Sequence, residues 1–194
     1  PDIDISAMDQ IEATEQRLYD LATTGEFERG YVSLVIAAKN AVEMAEQAIQ
    51  SDGHVVGVAT GLKDIDSKLG GLHPSDLVIV AGRPSMGKTA LATNIAFNAA
   101  KSGSTVLFFS LEMSSEQLAT RILSEQSEIP SDRIRRGDVK DDEFQKIVVA
   151  SQDLHRTPLY IDDTPALTVS ALRTRARRLK RKEKLELIVV DYLQ

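Results

Sequence analysis

Apolar positions along the chain follow two patterns, one before and one after residue ~50. Met8, Ile11, Leu18 and Leu21 recur at steps of three, seven and three with Glu12, Glu15 and Arg17 between them, which predicts a helix. A break follows at Gly25 and Gly30. From about Val32 to Gln50 a second helix is predicted, because Val35, Ala38, Val42, Ala45 and Ile49 alternate steps of three and four and so share one stripe. Its small residues admit close approach of another backbone. Such a stripe either packs back on its own domain or docks on a neighbouring subunit. Ser51-Asp52-Gly53 ends it.

The texture then changes. Thr60-Gly61 leads into a short helix, Leu62 to Leu69, closed by Gly70-Gly71, and His73-Pro74-Ser75-Asp76 forms a turn. Strands and helices alternate from there: strand Leu77–Ala81, helix Lys88–Lys101, strand Thr105–Ser110, helices Ser115–Gln126 and Asp141–His155, strand Leu159–Asp162, helix Val169–Lys182, strand Leu187–Asp191. Val78-Ile79-Val80, Val106-Leu107-Phe108-Phe109 and Ile188-Val189-Val190 are continuous apolar runs. Strands apolar on both faces belong to a parallel sheet covered by helices on each side, so the predicted class is α/β. No internal repeat or low-complexity stretch interrupts it.

Composition narrows the function without naming it. The 194 residues have room for one domain of about 150 residues plus an appendage. Lys and Arg number 23 against 29 Asp and Glu, a net charge of −6, which argues against a bulk polycationic nucleic-acid binder but leaves room for a local basic groove. Charge is uneven: residues 165–194 carry eight basic and three acidic residues, a balance of +5, so the remainder carries −11. The absence of cysteine excludes disulfides, thiolate metal sites and cysteine nucleophiles. No apolar run approaches the ~18 residues of a membrane span, and Pro1-Asp2-Ile3-Asp4 lacks the order of a secretory signal.

One segment carries chemistry outright. Gly82-Arg83-Pro84-Ser85-Met86-Gly87-Lys88-Thr89 matches the G-x-x-x-x-G-K-[ST] phosphate-binding loop in full, after an apolar run and at the start of a helix. Gly82 and Gly87 permit backbone angles and close approach that a side chain blocks. Backbone N–H groups from Ser85 to Thr89, with the partial positive charge of a helix N-terminus, hold a polyphosphate. Lys88 brings an ammonium to the β- and γ-phosphates and Thr89 a hydroxyl to Mg²⁺, so ATP and Mg²⁺ are the expected ligands.

Such a loop needs a carboxylate on the metal side. Leu187-Ile188-Val189-Val190-Asp191 is an apolar strand ending in Asp, the Walker B pattern, and in a parallel sheet Asp191 falls at the ligand-binding edge. Hydrolysis further needs a group to orient or deprotonate water. No Glu follows Asp191, where the chain reads Tyr192-Leu193-Gln194; the candidate is Glu112 in Ser110-Leu111-Glu112-Met113. Glu112 reads equally as an acidic residue ahead of a helix capped by Ser114 and Gln117. Arg121, one turn into that helix, reads as a nucleotide contact or as a surface or interhelix pairing residue. Asp162 and Asp163 read as ligand-edge acids or as turn caps. His54, His73 and His155 show no ligand spacing.

Several segments together resemble the DnaB-type replicative DNA helicases: Thr60-Gly61-Leu62 through Leu69-Gly70-Gly71, the loop 82–89, Ser110-Leu111-Glu112-Met113, Tyr160-Ile161-Asp162-Asp163-Thr164-Pro165 and Asp191-Tyr192-Leu193-Gln194. The resemblance spans about residues 30–194. It implies a RecA-like ATPase domain in a ring-shaped homo-hexamer that moves 5′→3′ on single-stranded DNA with primase and helicase-loader partners, in a bacterial-type cytoplasm and away from membranes. It also implies that Glu112 is the catalytic base, that residues 30–52 are a linker helix docking on the adjacent subunit, that residues 1–29 are a remnant of an N-terminal helical domain, and that residues 53–194 are an ATPase domain incomplete at its C-terminus. In that fold the strand after Walker B inserts between the Walker A and Walker B strands. The 194 residues are therefore expected to be part of a longer polypeptide, with the arginine finger and main DNA loops beyond residue 194.

Two rival functions stay open: a RecA-like recombinase or repair ATPase, and a nucleotide-binding interaction module without turnover. The basic segment has two readings of its own. Arg173, Arg177, Lys180 and Lys184 share one face opposite Val169, Leu172, Ala176 and Leu179, as in a sheet-packed helix with a solvated cationic surface or a contact with DNA or protein.

Overall fold

The computed structural model describes Thr14, Arg17 and residues 32–50 and 55–192. Of the helix expected before Gly25, only Thr14 and Arg17 are described, both helical; the Ser51-Asp52-Gly53 break and residues 193–194 lie outside. The chain divides into two compact units, Pro1–His54 with Thr168–Arg178, and Val55–Leu167 with Leu179–Gln194.

In the first unit, α1 spans Leu34–Gln50. Its stripe is open to water: Val35 is 79%, Val42 58% and Ile49 79% exposed.

The second unit is built on α2 (Lys63–Leu69), α3 (Lys88–Lys101), β1 (Val106–Ser110), α4 (Ser115–Ser127), α5 (Ser131–Arg136), α6 (Asp141–Leu154), β2 (Leu159–Asp162) and β3 (Leu187–Asp191); α7 (Val169–Glu183) runs across both units. The three strands form a parallel sheet in the order β2-β1-β3, with Phe108 opposite Ile161 and Val189, and Ser110 opposite Asp191. Register sorts the faces. Val106 and Phe108 look, with Leu159, Ile161, Leu187 and Val189, toward Ala96, Ala99 and Ala100 of α3 and Leu118 of α4, and this is the core. Alanines on α3 let its backbone lie close to the sheet. Leu107 and Phe109, on the other face, are also buried.

Boundaries otherwise follow local chemistry. Ser114 and Gln117 form the expected capping box at α4: the Gln117 N–H donates to Ser114 Oγ at 3.4 Å and the Ser114 N–H to Gln117 Oε1 at 3.2 Å. The turn at His73 closes through its N–H donating to Asp76 at 3.0 Å. The Thr60-Gly61-Leu62 lead-in is fastened from two sides. Asp66 accepts from the Thr60 N–H, the Thr60 hydroxyl and the Gly61 N–H at 2.8, 2.7 and 3.0 Å, while Asn98 of α3 donates to the Thr60 carbonyl at 3.2 Å. A Cβ on Gly61 would lie 2.6 Å from the Asn98 side chain, so only glycine lets this strap lie on α3.

Two expectations fail. Leu77–Ala81 is not a strand: Leu77, Val78, Ile79 and Val80 are 83%, 54%, 76% and 42% exposed, and the segment pairs with nothing among the described residues. Its apolar run supplies the composition of a strand but no neighbouring strand supplies the hydrogen bonds, so water satisfies its backbone. The second is α5, which periodicity misses because Ile134 is its only apolar residue. On α7, Ala176 is buried and Arg173 and Lys180 are exposed as expected, but Val169, its first residue, is 79% exposed and Lys184 lies past its end. Among the described residues no helix is long and apolar enough to cross a membrane.

Candidate functional site

The C-terminal edge of the sheet gathers the chemistry. Residues 82–87 form an open loop in which Gly82, Arg83, Pro84, Ser85, Met86 and Gly87 are all exposed, and the Met86 N–H donates to the Arg83 carbonyl at 3.2 Å. Ser85 takes φ 64° and Gly87 φ 87°, left-handed angles that turn the chain abruptly into α3. At Gly87 the backbone angle itself calls for glycine, since a side chain there costs about 1–2 kcal/mol. The first N–H groups of α3 have no intrahelical partner and face the loop. Thr89 follows in the first helical turn, half-buried, with its carbonyl accepting from the Thr93 hydroxyl at 2.7 Å.

Lys88 reaches across to β3. Its Nζ lies 3.4 Å from Oδ1 of Asp191, whose side chain is 4% exposed, and 4.1 Å from the centroid of the Tyr192 ring. A carboxylate this deep is costly without a cation beside it, and Lys88 is that cation. Sequence reasoning singled out Lys88 and Asp191 separately; Tyr192 as a ring under the ammonium escaped it, because one aromatic after an acid carries no spacing signal.

Glu112 belongs to the same edge. It lies two residues past Ser110, the register partner of Asp191, and the Leu111 N–H donates to the Asp191 carbonyl at 2.8 Å. Its side chain is exposed. Arg121 is exposed on the second turn of α4.

Asp162 and Asp163 act as caps. The Thr164 N–H donates to Asp162 at 3.1 Å, and the Ser115 N–H donates to Asp163 at 2.8 Å, joining the end of β2 to the start of α4. That hydrogen bond holds the Asp163 carboxyl below its ordinary value, and the Ser114 hydroxyl does the same for Glu116. A cleft of 590 Å³ lined by Phe97, Lys101, Gln126, Lys146, Val149 and Asp153 opens elsewhere. It lies at the far end of α3, about 20 Å from Lys88 by helical rise, and does not belong to this edge.

A parallel sheet with helices, and with the loop-led helix and the acid-ended strands meeting at one edge, is the arrangement of a RecA-like ATPase domain. Solved structures agree. One, itself an isolated ATPase domain, superposes with a TM-score of 0.74 at 28% identity, over 80% of this chain and 56% of that one. "The Structure Of A DnaB-Like Replicative Helicase And Its Interactions With Primase" gives 0.72 at 25% identity, over 89% and 43%. Residues 57–194 match the DnaB-like helicase C terminal domain, and the chain belongs to that family. Among similar proteins, the replicative DNA helicase DnaB of Rickettsia conorii is 44% identical over 99% of this chain and 41% of its own length. The replicative DNA helicase DnaC of Bacillus subtilis is 42% identical over 77% and 33%. The chain thus spans about two fifths or less of these curated relatives.

Proposed function

We propose that this chain is the nucleotide-binding part of a replicative DNA helicase that couples ATP hydrolysis to 5′→3′ unwinding of duplex DNA as a ring hexamer. The observation that carries the reading is the 3.4 Å contact between Lys88 and the buried Asp191, with the Glu112 segment bonded to the same strand end.

The donor set fits Mg²⁺-ATP. Loop amides at the N-terminus of a 14-residue helix suit a polyphosphate, and a buried carboxylate next to a hydroxyl-bearing helical turn suits a hard divalent ion. Arg83, Pro84, Ser85 and Met86 shape the loop; Gly82 and Gly87 flank it. In the structure Lys88 and Asp191 neutralise each other. On nucleotide binding Asp191 and the Thr89 hydroxyl hold the metal, and Lys88 is released to the β- and γ-phosphates. Glu112 accepts a proton from water on the side of the sheet edge facing solvent. Arg121 contacts the nucleotide base. Bound Mg²⁺-ATP supplies the phosphoryl group that is transferred; the chain's residues position and neutralise.

Residues 30–52 act as the linker, docking the exposed stripe of α1 on an adjacent subunit, and residues 53–194 belong to the ATPase domain. Single-stranded DNA, primase and a loader are partners of the complete cytoplasmic protein, which carries further segments beyond the 194 residues.

Turnover and unwinding in the complete protein test this reading. Lys88→Ala should abolish hydrolysis, whereas Glu112→Gln should keep ATP binding and lose turnover. Normal hydrolysis by Glu112→Gln removes the base assignment. Strand displacement on forked DNA with a free 5′ tail supports the helicase, and strand exchange without displacement supports a recombinase.

A further inference from the structure

Glu112 projects from a turn whose backbone is fixed on both sides of it. One residue before it, the Leu111 N–H donates to the Asp191 carbonyl at 2.8 Å. One residue after it, both peptide groups of Met113 are bound by a single hydroxyl: Ser110 Oγ donates to the Met113 carbonyl at 2.6 Å and accepts from the Met113 N–H at 3.2 Å. Ser110 is 2% exposed, ends a fully buried strand and stands opposite Asp191 in register. Its hydroxyl therefore closes a four-residue ring whose base is set in the sheet and whose exposed crest is Glu112.

We propose that Ser110 is a positioning residue for ATP hydrolysis, its hydroxyl holding the 110–113 turn so that Glu112 stands at a fixed place relative to Asp191. The proposal rests on Glu112 acting as the base. A hydroxyl is the right group because Met113 needs an acceptor for its N–H and a donor for its carbonyl, and one Ser oxygen supplies both. Alanine at this position fills the space but leaves two peptide groups to find other partners, and the turn is free to move. Beyond Met113 the chain is already fixed by the Ser114 cap and by the Asp163 bond to Ser115, so the slack falls on Glu112. Displacements of about 1 Å at a reacting group cost on the order of a hundredfold in rate.

The test is steady-state ATP hydrolysis by the complete protein carrying Ser110→Ala, Ser110→Cys, Glu112→Gln, or Ser110→Ala with Glu112→Gln, together with binding of a fluorescent ATP analogue. Ser110→Ala should lower kcat about ten- to a hundredfold with KM and analogue affinity within about twofold of the parent. Ser110→Cys, isosteric with a weak donor, should fall between the two, and it decides the matter where the alanine chain does not fold. In the Glu112→Gln background Ser110→Ala should add almost nothing, as expected of a residue that acts through another. Parental kcat in Ser110→Ala or Ser110→Cys, or an undiminished loss in the double variant, overturns the proposal while leaving Glu112 as base. Parental kcat in Glu112→Gln overturns the base assignment and the proposal together.

Discussion

Leu77–Ala81 and Val106–Ser110 are near twins in composition and opposites in structure. Both are five-residue runs dominated by β-formers, and both lead into a loop rich in candidate chemistry. The second is β1, buried at every position and flanked by β2 and β3. The first stands open to water with no strand partner among the described residues. An apolar run specifies an appetite for burial, while pairing depends on what lies alongside. The consequence reaches the site. Asp191 and Glu112 are held by the sheet, whereas the loop 82–87 is anchored only from its far end, through α3 and the contact of Lys88 with Asp191.

The largest effect should come from cutting that contact on its sheet side. Asp191→Asn in the complete protein leaves Lys88 without its anion and removes the charge assigned to the metal. ATP hydrolysis should fall by about a hundred- to a thousandfold, as for loss of a preorganised electrostatic group, with the fold retained by circular dichroism. Near-normal turnover would separate the strand end from the loop and undo the link between the two regions.

The next test sets the two runs against each other directly. In the 194-residue chain Phe108→Ala empties a position that is 2% exposed and should cost about 3–5 kcal/mol in urea unfolding. Ile79→Ala alters a side chain 76% exposed and should change stability by no more than ~0.5 kcal/mol. In a longer polypeptide that lays a strand against 77–81, the Ile79→Ala cost should rise toward ~2–5 kcal/mol. Equal costs in the short chain would show that 77–81 is buried there after all.

Element by element, the sequence was legible where local chemistry and tertiary context agree. Residues 88–101, 159–162 and 187–191 have the bounds their patterns predict, because Gly87, the turn before Leu159 and the acid at Asp191 punctuate them. Leu77–Ala81 was misread because no local signal reports a missing neighbour. The α5 turn was overlooked although Pro130, Asp132 and Gly137 mark both its ends; six residues with one apolar position leave no period to detect. At the site, Lys88, Thr89, Asp191 and Glu112 followed from motif and resemblance. The Ser110 clamp and the Asp163 cap did not, since each depends on which backbone group comes within 3 Å after folding.

A smaller effect belongs to the helices beyond the paired strand. Arg133 of α5 donates to both oxygens of Glu143 at 2.8 and 2.7 Å, and the Lys140 N–H adds a third bond at 3.0 Å. These bonds, the Arg133 pair first, lower the Glu143 pKa to about 2, and Glu143 in turn raises that of Arg133. Because the folded value is depressed, the stabilisation is complete above the unfolded value of about 4.3 and is lost as pH falls through the folded one. Amide exchange in α5 should therefore accelerate between about pH 4.3 and 2, and Glu143→Gln should abolish that pH dependence. The site is partly solvated, so added salt should shrink the effect. Acceleration of 77–81 in the same window would mean the two regions unfold together.

The smallest expected effect lies at the start of the loop that joins the unpaired run to α3, and it distinguishes its two glycines. At Gly82 an added Cβ would meet only the Met86 Cβ, at 3.9 Å, an ordinary contact. At Gly87 space is open too, but φ is 87°, so the strain lies in the backbone and not in crowding. Gly87→Ala should therefore lower the melting temperature and weaken binding of a fluorescent ATP analogue by about tenfold, in keeping with ~1–2 kcal/mol for a left-handed alanine. Gly82→Ala should leave both almost unchanged. Equal losses from the two would mean that the loop closes on its ligand far more tightly at Gly82 than in this structure. The unpaired run would then have to move with it, because Gly82 follows Ala81 directly.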